Sequence, residues 1–464
     1  MAFLRKNRSN PHAEQSITEG VIWKQLLLFF FPILLGTFFQ QLYNTADAIV
    51  VGKFVGTKAL AAVGGTTGTL INLLVGLFVG MASGATVIIS QFFGARKQQE
   101  VSDTVHTAAA LGLACGAFLM VVGIAFSPAI LKLMNTPDEV LGMASTYIRI
   151  YFAGIIPMLV YNIGSGILRA VGDSRRPLFF LICACMTNIV LDVVLVAGFE
   201  MGIAGAALAT TLSQLLSAVL VVVTLMRTHM AYRLEVRKIR FHPSLLARII
   251  HIGLPAGLQS VMYSMSNVII QTGVNGFGTD VMAAWTAYSK IDGLFWMIIS
   301  AFGVSVTTFV GQNFGARKLD RMRQCVKVGL GMAAGTTIGL SVIMYTFGGF
   351  IYRMFTTDPV VLGHGMQILH LLSPLWTTYI CIEILSCAVR GTGDSLIPTI
   401  MTLCGVCLVR ILWVAFIAPI KPVLPMLLVA YPITWSLTSI LFIIYYKKGS
   451  WLDRGLRRLD AMAG

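Results

Sequence analysis

The amino-acid sequence predicts an all-α membrane protein: twelve transmembrane helices in two six-helix lobes related by a parallel internal repeat. Three observations carry this expectation. The chain is 56% hydrophobic and only 11% charged, with a mean hydropathy of +0.81, a balance that soluble domains do not have. Stretches of about 20 apolar residues recur along nearly the whole length, each long enough to cross a hydrocarbon core of about 30 Å as a helix. The second half of the chain also repeats the first.

The apolar runs are continuous and rich in Leu, Ile and Val, which favours helices over barrel strands, where apolar and polar residues would alternate over about ten positions. They fall at 25–50, 59–90, 102–127, 141–168, 178–198, 203–226, 247–272, 281–311, 326–352, 365–389, 398–419 and 423–446. An even number of spans puts both termini on one side. About 26 of the 34 Lys and Arg lie at the termini or in even-numbered loops, about 6 lie near odd-numbered loops, and Lys290 and Arg410 fall inside spans. The positive-inside rule therefore predicts a multi-pass protein with both termini in the cytoplasm. The same asymmetry accounts for the formal net charge of +15, so no nucleic-acid partner is needed to explain it. Residues 1–24 are polar and basic, and the first apolar run continues past any small-residue cleavage site, so they read as a cytoplasmic tail. The expected organisation is then a first lobe at 25–226, a cytoplasmic linker at 227–246, a second lobe at 247–446 and a cytoplasmic C-terminal tail at 447–464. The eight cysteines sit mostly within spans, with no zinc or redox spacing, and read as buried thiols.

The internal repeat is the most informative signal. "QFFGARK" at Gln91 returns as "QNFGARK" at Gln312, "LRAVGDSRRP" at Leu168 as "VRGTGDSLIP" at Val389, and "MNTPDEVL" at Met134 as "FTTDPVVL" at Phe355, all 221 residues apart. "GTKALAA" and "GTDVMAA" match within one residue of that offset, and Pro32 and Asn44 correspond to Pro255 and Asn267 with a second small slip. Six spans per copy is an even number, so both copies enter the membrane in the same direction, and an axis along the membrane normal relates them. The polar linker is long enough to let the lobes move, and two bundles rocking about a central cavity suit alternating access.

The repeat also disposes of a tempting motif. "GTGD" at Gly391–Asp394 fits the GxGD pattern of intramembrane aspartyl proteases, but its twin is "AVGD" at Ala170–Asp173. Both lie in short basic loops followed by a proline at matching distance, as turns between helices do. Walker A, HExxH and GxSxG patterns are missing, so no enzyme is indicated and transport work would have to come from an ion gradient.

An ionised carboxylate at mid-bilayer costs about 2.5–3.5 kcal/mol on insertion scales, so each one marks a candidate site. The first span carries Gln40, Asn44 and Asp47 on one helical face, the fifth Asn188 and Asp192 one turn apart, and the sixth Thr210, Gln214 and Ser217. Three such stripes in one lobe can converge on a water-accessible pocket. Two carboxylates in a poorly solvated pocket cannot both ionise cheaply, which makes the pair a proton carrier, with Asn188, Thr210 and Tyr147 as hydrogen-bonding partners. The same hard oxygens, Asp47, Asn188 and Asp192, equally suit Na⁺, and the sequence leaves the choice between H⁺ and Na⁺ open. In the second lobe Gln259, Tyr263, Asn267 and Gln271 recur every four residues on the seventh span, with Lys290 and Asp292 on the eighth, Glu383 on the tenth and Arg410 on the eleventh. These charges are expected either to neutralise one another across helices or to meet a substrate or coupling ion, with Glu383 mattering most. The 27 Phe and 22 Met offer a lining that would accept amphiphilic cations by adaptable packing and cation–π contact.

Taken together, the paired "FGARK" loops, the paired "GDS…P" loops and the early "QQLYNTADAIVVG" resemble the multidrug and toxic compound extrusion (MATE) transporters, over essentially the whole chain from Ile17 to Lys448. The resemblance implies an inner-membrane antiporter exporting organic, often cationic, compounds in exchange for H⁺ or Na⁺, with no other cofactor. It is similar to the branch that couples through the first lobe, and the matching positions are Asp47, Asn188, Asp192, Thr210 and Tyr147. The other branch carries an acid on the seventh span, where this chain has Gln259 and Tyr263. Gln40, Asn44, Gln214, Gln259, Tyr263, Asn267, Lys290 and Glu383 are the candidate substrate contacts. The expected partners are a small organic substrate and membrane lipids, with the chain acting as a monomer. The rival readings are a lipid-linked precursor flippase, for which a strongly cationic cavity or extra spans would be expected, and a receptor, which would leave Asp47 and Asp192 unexplained.

Overall fold

A computed structural model describes residues 17–134 and 136–460, and no strand occurs among them. Eleven helices are long and apolar enough to cross a membrane: α1 (Ile22–Phe54), α2 (Thr57–Gly94), α3 (Gln98–Leu133), α5 (Arg175–Gly198), α6 (Gly202–Arg227), α7 (Pro243–Asn275), α8 (Thr279–Gly315), α9 (Leu319–Arg353), α10 (Pro359–Gly391), α11 (Leu396–Ile420) and α12 (Leu424–Lys448). The remaining span, α4, is two helices, Asp138–Ala153 and Ile155–Ala170, meeting at Gly154 with a bend of 48°. Twelve spans thus form two lobes, α1–α6 and α7–α12. Several helices begin or end a few residues beyond their apolar runs, because the chain stays helical through polar turns such as Gln98–Val101 and Leu319–Met322 before leaving the membrane.

The repeat is written in the backbone as well as in the residues. Left-handed conformations come in pairs at corresponding turns: Arg96 and Arg317 (φ 58° and 57°), Gly56 and Gly278 (φ 111° and 97°), Gly172 and Gly393 (φ 100° and 91°). The two "GD" turns are helix starts. Asp173 Oδ1 accepts from the Arg175 and Arg176 amides at 3.0 and 3.1 Å, the ordinary way to satisfy orphan donors at a helix N-terminus. Asp394 is instead buried and accepts from Arg454 at 2.7 Å and from the Tyr445 hydroxyl at 3.1 Å.

The linker, expected to be long enough to let the lobes move, and the C-terminal tail are both docked. The linker contains Tyr232 and Leu234, both buried, and the His106 Nε2 of α3 accepts from the Glu235 amide at 3.0 Å, so this stretch is fixed to the first lobe rather than free. Beyond α12 a short amphipathic helix, α13 (Trp451–Asp460), lies across the end of the second lobe. There Arg454 reaches Asp394, Arg458 donates to the Gly393 carbonyl at 2.8 Å, and Trp451 stacks on Tyr446. Of the N-terminal segment, Ile17, Glu19 and Gly20 offer carbonyls to the Arg321 guanidinium of α9, while residues 1–16 lie outside the described residues.

The lobes meet along the half of the molecule nearest the basic face that carries the described ends of the chain. Gln91 donates to the Gly391 carbonyl at 2.8 Å, and its repeat twin Gln312 donates to the Ala170 carbonyl at 2.7 Å. Between them Gly94 and Gly315 pack so tightly that a side chain at either would run into the backbone carbonyl of Gln312 or Gln91, and deeper in the seam Gly80 and Gly84 face Gly257 and Gly253 in the same way. Phe30 stacks on Phe302 with centroids 4.0 Å apart, and Phe29 meets Phe309 edge-on. Small residues permit this close helix approach inside a membrane, where dispersion rather than the hydrophobic effect holds helices together. Along α2 the glycine contacts with α7 reach as far as Gly76 against Ser260; the molecule is closed toward its basic face.

Candidate functional site

Each lobe has its own cavity. In the first lobe a space of about 430 Å³ is walled by α1, α2, α4, α5 and α6, with Gln40, Asn44, Asp47, Tyr147 and Gln214 in its lining. Gln214 Nε2 donates to the Tyr43 hydroxyl at 3.2 Å, tying α6 to α1. Asp47 is 6% exposed and forms the floor.

Behind that floor stand Asn188 and Asp192, each 0% exposed, and Thr210, 6% exposed. The sequence pattern suggested a single water-accessible pocket; the structure separates the stripes into a wetted wall and a dry recess. The separation follows from helix packing, because α5 lies against both α1 and α6 and turns its polar pair inward. Asp192 closes the regular part of its helix, which continues as a π-helical segment over Val193–Gly198, a local irregularity often found at working sites. Asp47 lies near enough to Asp192 for its charge to act there, and Tyr147 lies within reach of both. Among the described residues, Asp47 Oδ1, both Asp192 oxygens, both Asn188 amide atoms and Thr210 Oγ1 are buried polar atoms with no hydrogen-bond partner. Buried polar groups in proteins are nearly always satisfied, so five oxygens gathered this way fit a group that brings its own positive charge. Carboxylate, amide and hydroxyl oxygens suit H⁺ and Na⁺ alike. Ser217 is apart from this set, its hydroxyl donating to the Gln214 carbonyl within its own helix.

In the second lobe a cavity of about 420 Å³ is lined by Gln259, Tyr263, Asn267, Trp296, Tyr379, Glu383, Arg390 and Arg410. The expected ion-pair network is not what forms: no ion pair within 4 Å joins Lys290, Asp292, Glu383 or Arg410 to one another or to another described residue. Neutral donors hold the acids instead. Asp292 accepts from the Tyr288 hydroxyl at 3.1 Å and from Trp296 Nε1 at 2.6 Å, and Glu383 accepts from the Tyr379 hydroxyl at 3.3 Å and from Cys387 at 3.5 Å. Lys290 is exposed and contributes to neither cavity wall. Gln271 donates to Asn275 on its own helix at 2.8 Å. The walls combine Tyr and amide side chains with aliphatic residues in the first lobe and with Trp296 in the second, with Met158 the one sulfur side chain and no Phe among them; the abundant Phe and Met serve the seam, the core and the outer faces, as the exposure of Phe38, Phe118 and Met265 illustrates.

Sequence reasoning missed Arg169 and Arg390. Both line the cavities, one in each lobe, as repeat twins. They end helices at basic loops, so they read as topology signals; their matched positions in "LRAVGD" and "VRGTGD" are the signal that could have found them.

Two six-helix lobes related by a repeat, a seam closed on one face and a polar cavity in each lobe are the architecture of a two-lobe membrane transporter. A family model described as MatE matches residues 32–194 and again residues 255–416, and the chain belongs to this family, the multidrug and toxic compound extrusion transporters. It is 28% identical over 402 residues to the "Probable multidrug resistance protein YoeA" of Bacillus subtilis (strain 168), covering 85% of this chain and 86% of that protein. It is 23% identical over 349 residues to the "Multidrug export protein MepA" of Staphylococcus aureus (strain N315), covering 75% and 77%. A solved structure described as the outward-facing conformation of a multidrug resistance MATE family transporter of the MOP superfamily superposes with a TM-score of 0.86 at 22% identity, covering 94% of this chain and 98% of that one. The protein is a multi-pass membrane transporter that exports small-molecule compounds.

Proposed function

We propose that the protein is a secondary active antiporter of the cytoplasmic membrane, with both termini in the cytoplasm, exporting organic cationic or amphiphilic compounds in exchange for H⁺ or Na⁺. One observation carries the reading: the buried oxygens of Asp47, Asn188, Asp192 and Thr210, without hydrogen-bond partners, lie just behind a cavity wall of the lobe. With the seam closed on the basic face, this conformation is the one in which an ion from outside reaches the first lobe. Uptake there neutralises the Asp47/Asp192 pair, changes the field across the first-lobe cavity and weakens the hold on substrate. Lobe rocking about the glycine seam then exposes both cavities to the cytoplasm, where the ion leaves and substrate binds. One monovalent cation entering through the membrane potential supplies about 2.3 kcal/mol per 100 mV, enough for roughly a fortyfold uphill gradient of a neutral solute.

Reconstituted vesicles test the reading. Dye efflux driven by a pH gradient, and separately by a Na⁺ gradient, identifies the coupling ion. Asp192→Asn is expected to abolish gradient-driven efflux while the protein still inserts and elutes as a single species. Unchanged efflux by that variant at normal expression would remove the first lobe from the coupling step.

A further inference from the structure

The two lobes carry opposite polarity at equivalent places. On the 221-residue offset, Asn188 and Asp192 correspond to Val409 and Trp413, and Thr210 corresponds to Tyr431. Where the first lobe gathers carboxylate and hydroxyl oxygens, the second places Arg410, whose guanidinium lies over the Tyr431 ring with 4.1 Å from Cζ to the centroid. Arg410 occupies a single helical turn, Val409–Leu412, between π-helical segments Leu403–Leu408 and Trp413–Ile417. Such segments shift the register of a helix by a residue, enough to bring position 410 rather than 409 or 413 toward the cavity.

Arg410 is 2% exposed. A guanidinium has five N–H donors and is never deprotonated in proteins. Here Nη1 reaches Ser266 Oγ and Asn267 Oδ1, both at 3.4 Å, and Nε has no partner among the described residues. The second guanidinium of the cavity, Arg390, donates through Nη2 to Gln259 Oε1 at 3.0 Å, and its Nε is likewise without a partner. The acids within reach are already held by neutral donors: Glu383 by Tyr379 and Cys387, Asp292 by Tyr288 and Trp296. The cavity wall therefore presents two guanidinium groups against one carboxylate; Asp292 lies within reach of the Arg410 charge, but the groups Arg410 touches, Ser266, Asn267 and Tyr431, are neutral. A buried cation with no carboxylate in direct contact is costly, whereas a planar oxyanion would satisfy the fork with two charge-assisted bonds.

We propose that the second-lobe cavity is a binding site for the oxyanion group, a carboxylate or phosphate, of an amphiphile, with Arg410 as its buried anchor and Arg390 as its second contact. The aromatic wall of Tyr263, Trp296 and Tyr379 receives the flat apolar body of the same molecule. This deepens the transport reading and rests on it: among the exported compounds, zwitterionic or anionic amphiphiles gain the Arg410 contact, and a purely cationic compound forgoes it.

The test is a binding measurement without any gradient, so its failure is separable from failure of coupling. Purified protein in phospholipid-free detergent is titrated, by fluorescence anisotropy, with rhodamine B, which carries a free carboxylate, and with its ethyl ester, which does not. The wild type is expected to favour the free carboxylate by at least about tenfold, the value of a charge-assisted hydrogen bond. In Arg410→Gln the ratio should fall to about one, and in Arg410→Lys it should be partly kept. Arg390→Gln should lower the ratio as well, and it stands in if Arg410→Gln does not yield folded protein. Displacement of rhodamine B by short-chain phosphatidic acid but not by an aliphatic carboxylate would assign the site to a lipid phosphate; the reverse would assign it to a carboxylate substrate. A ratio near one in the wild type, or an unchanged ratio in Arg410→Gln, overturns the proposal.

Discussion

The two lobes follow the same six-helix plan in the same order, yet their buried cores gather opposite charges. The first lobe gathers Asp47, Asp192, Asn188 and Thr210 with no cation among them; the second surrounds Arg410 with Tyr431, Ser266 and Asn267. The backbone repeat, down to paired left-handed turns, fixes where cavities form. A few side chains then decide what each cavity holds. The comparison teaches that a parallel repeat can place two chemically distinct cavities in one chain; in the proposed cycle one serves the driving ion and the other the cargo.

The division of labour can be broken by substitution. The largest contrast expected is between Asp192→Asn, which should remove gradient-driven efflux, and Glu383→Gln, which should keep coupling and shift half-saturation by roughly 3–10-fold; ion flux and substrate flux measured in the same vesicles check both. Next come Gly94→Val and Gly315→Val at the seam. Each forces a side chain into a backbone carbonyl of the opposite lobe, so both should lose most transport and hold the basic face open. A cysteine placed at Asn44, with the native cysteines replaced, should then react with a membrane-impermeant reagent from that face, and equal effects of the two variants are expected because they are repeat twins. A smaller contrast lies in the paired turns. Asp394→Ala strands Arg454 and Tyr445 beside a buried position and should cost about 2–3 kcal/mol, whereas Asp173→Ala loses a helix-start contact worth about 1 kcal/mol; melting temperatures in detergent should fall in that order. Smallest are Gln91→Ala and Gln312→Ala, each removing one neutral hydrogen bond worth about 0.5–1.5 kcal/mol, seen as a modest rise in labelling at the seam.

Much of this was legible because lipid leaves few options. Apolar runs marked all twelve spans, since a helix is the simplest way to satisfy backbone groups in hydrocarbon. Asp192 stood out because a carboxylate in an uninterrupted apolar run is rare enough to need a reason. The bend at Gly154 and the π-helical segments were not legible, because glycine and apolar residues are common in straight spans too. The docking of Tyr232 and Leu234 was masked by the basic residues around them. Lys290 misled for the opposite reason: placed inside an apolar run, it implied burial, but its turn of α8 faces away from the cavity lining. For Arg410 the sequence showed a misplaced cation without showing Tyr431 beneath it.

The matched glutamine bonds at the seam have a consequence for tightness. Since Gln91 and Gln312 are related by the pseudo-dyad and each grips only a main-chain oxygen, a rocking motion that stretches one stretches the other equally. The two bonds are therefore expected to break together, so that the seam opens along its whole width instead of from one flank.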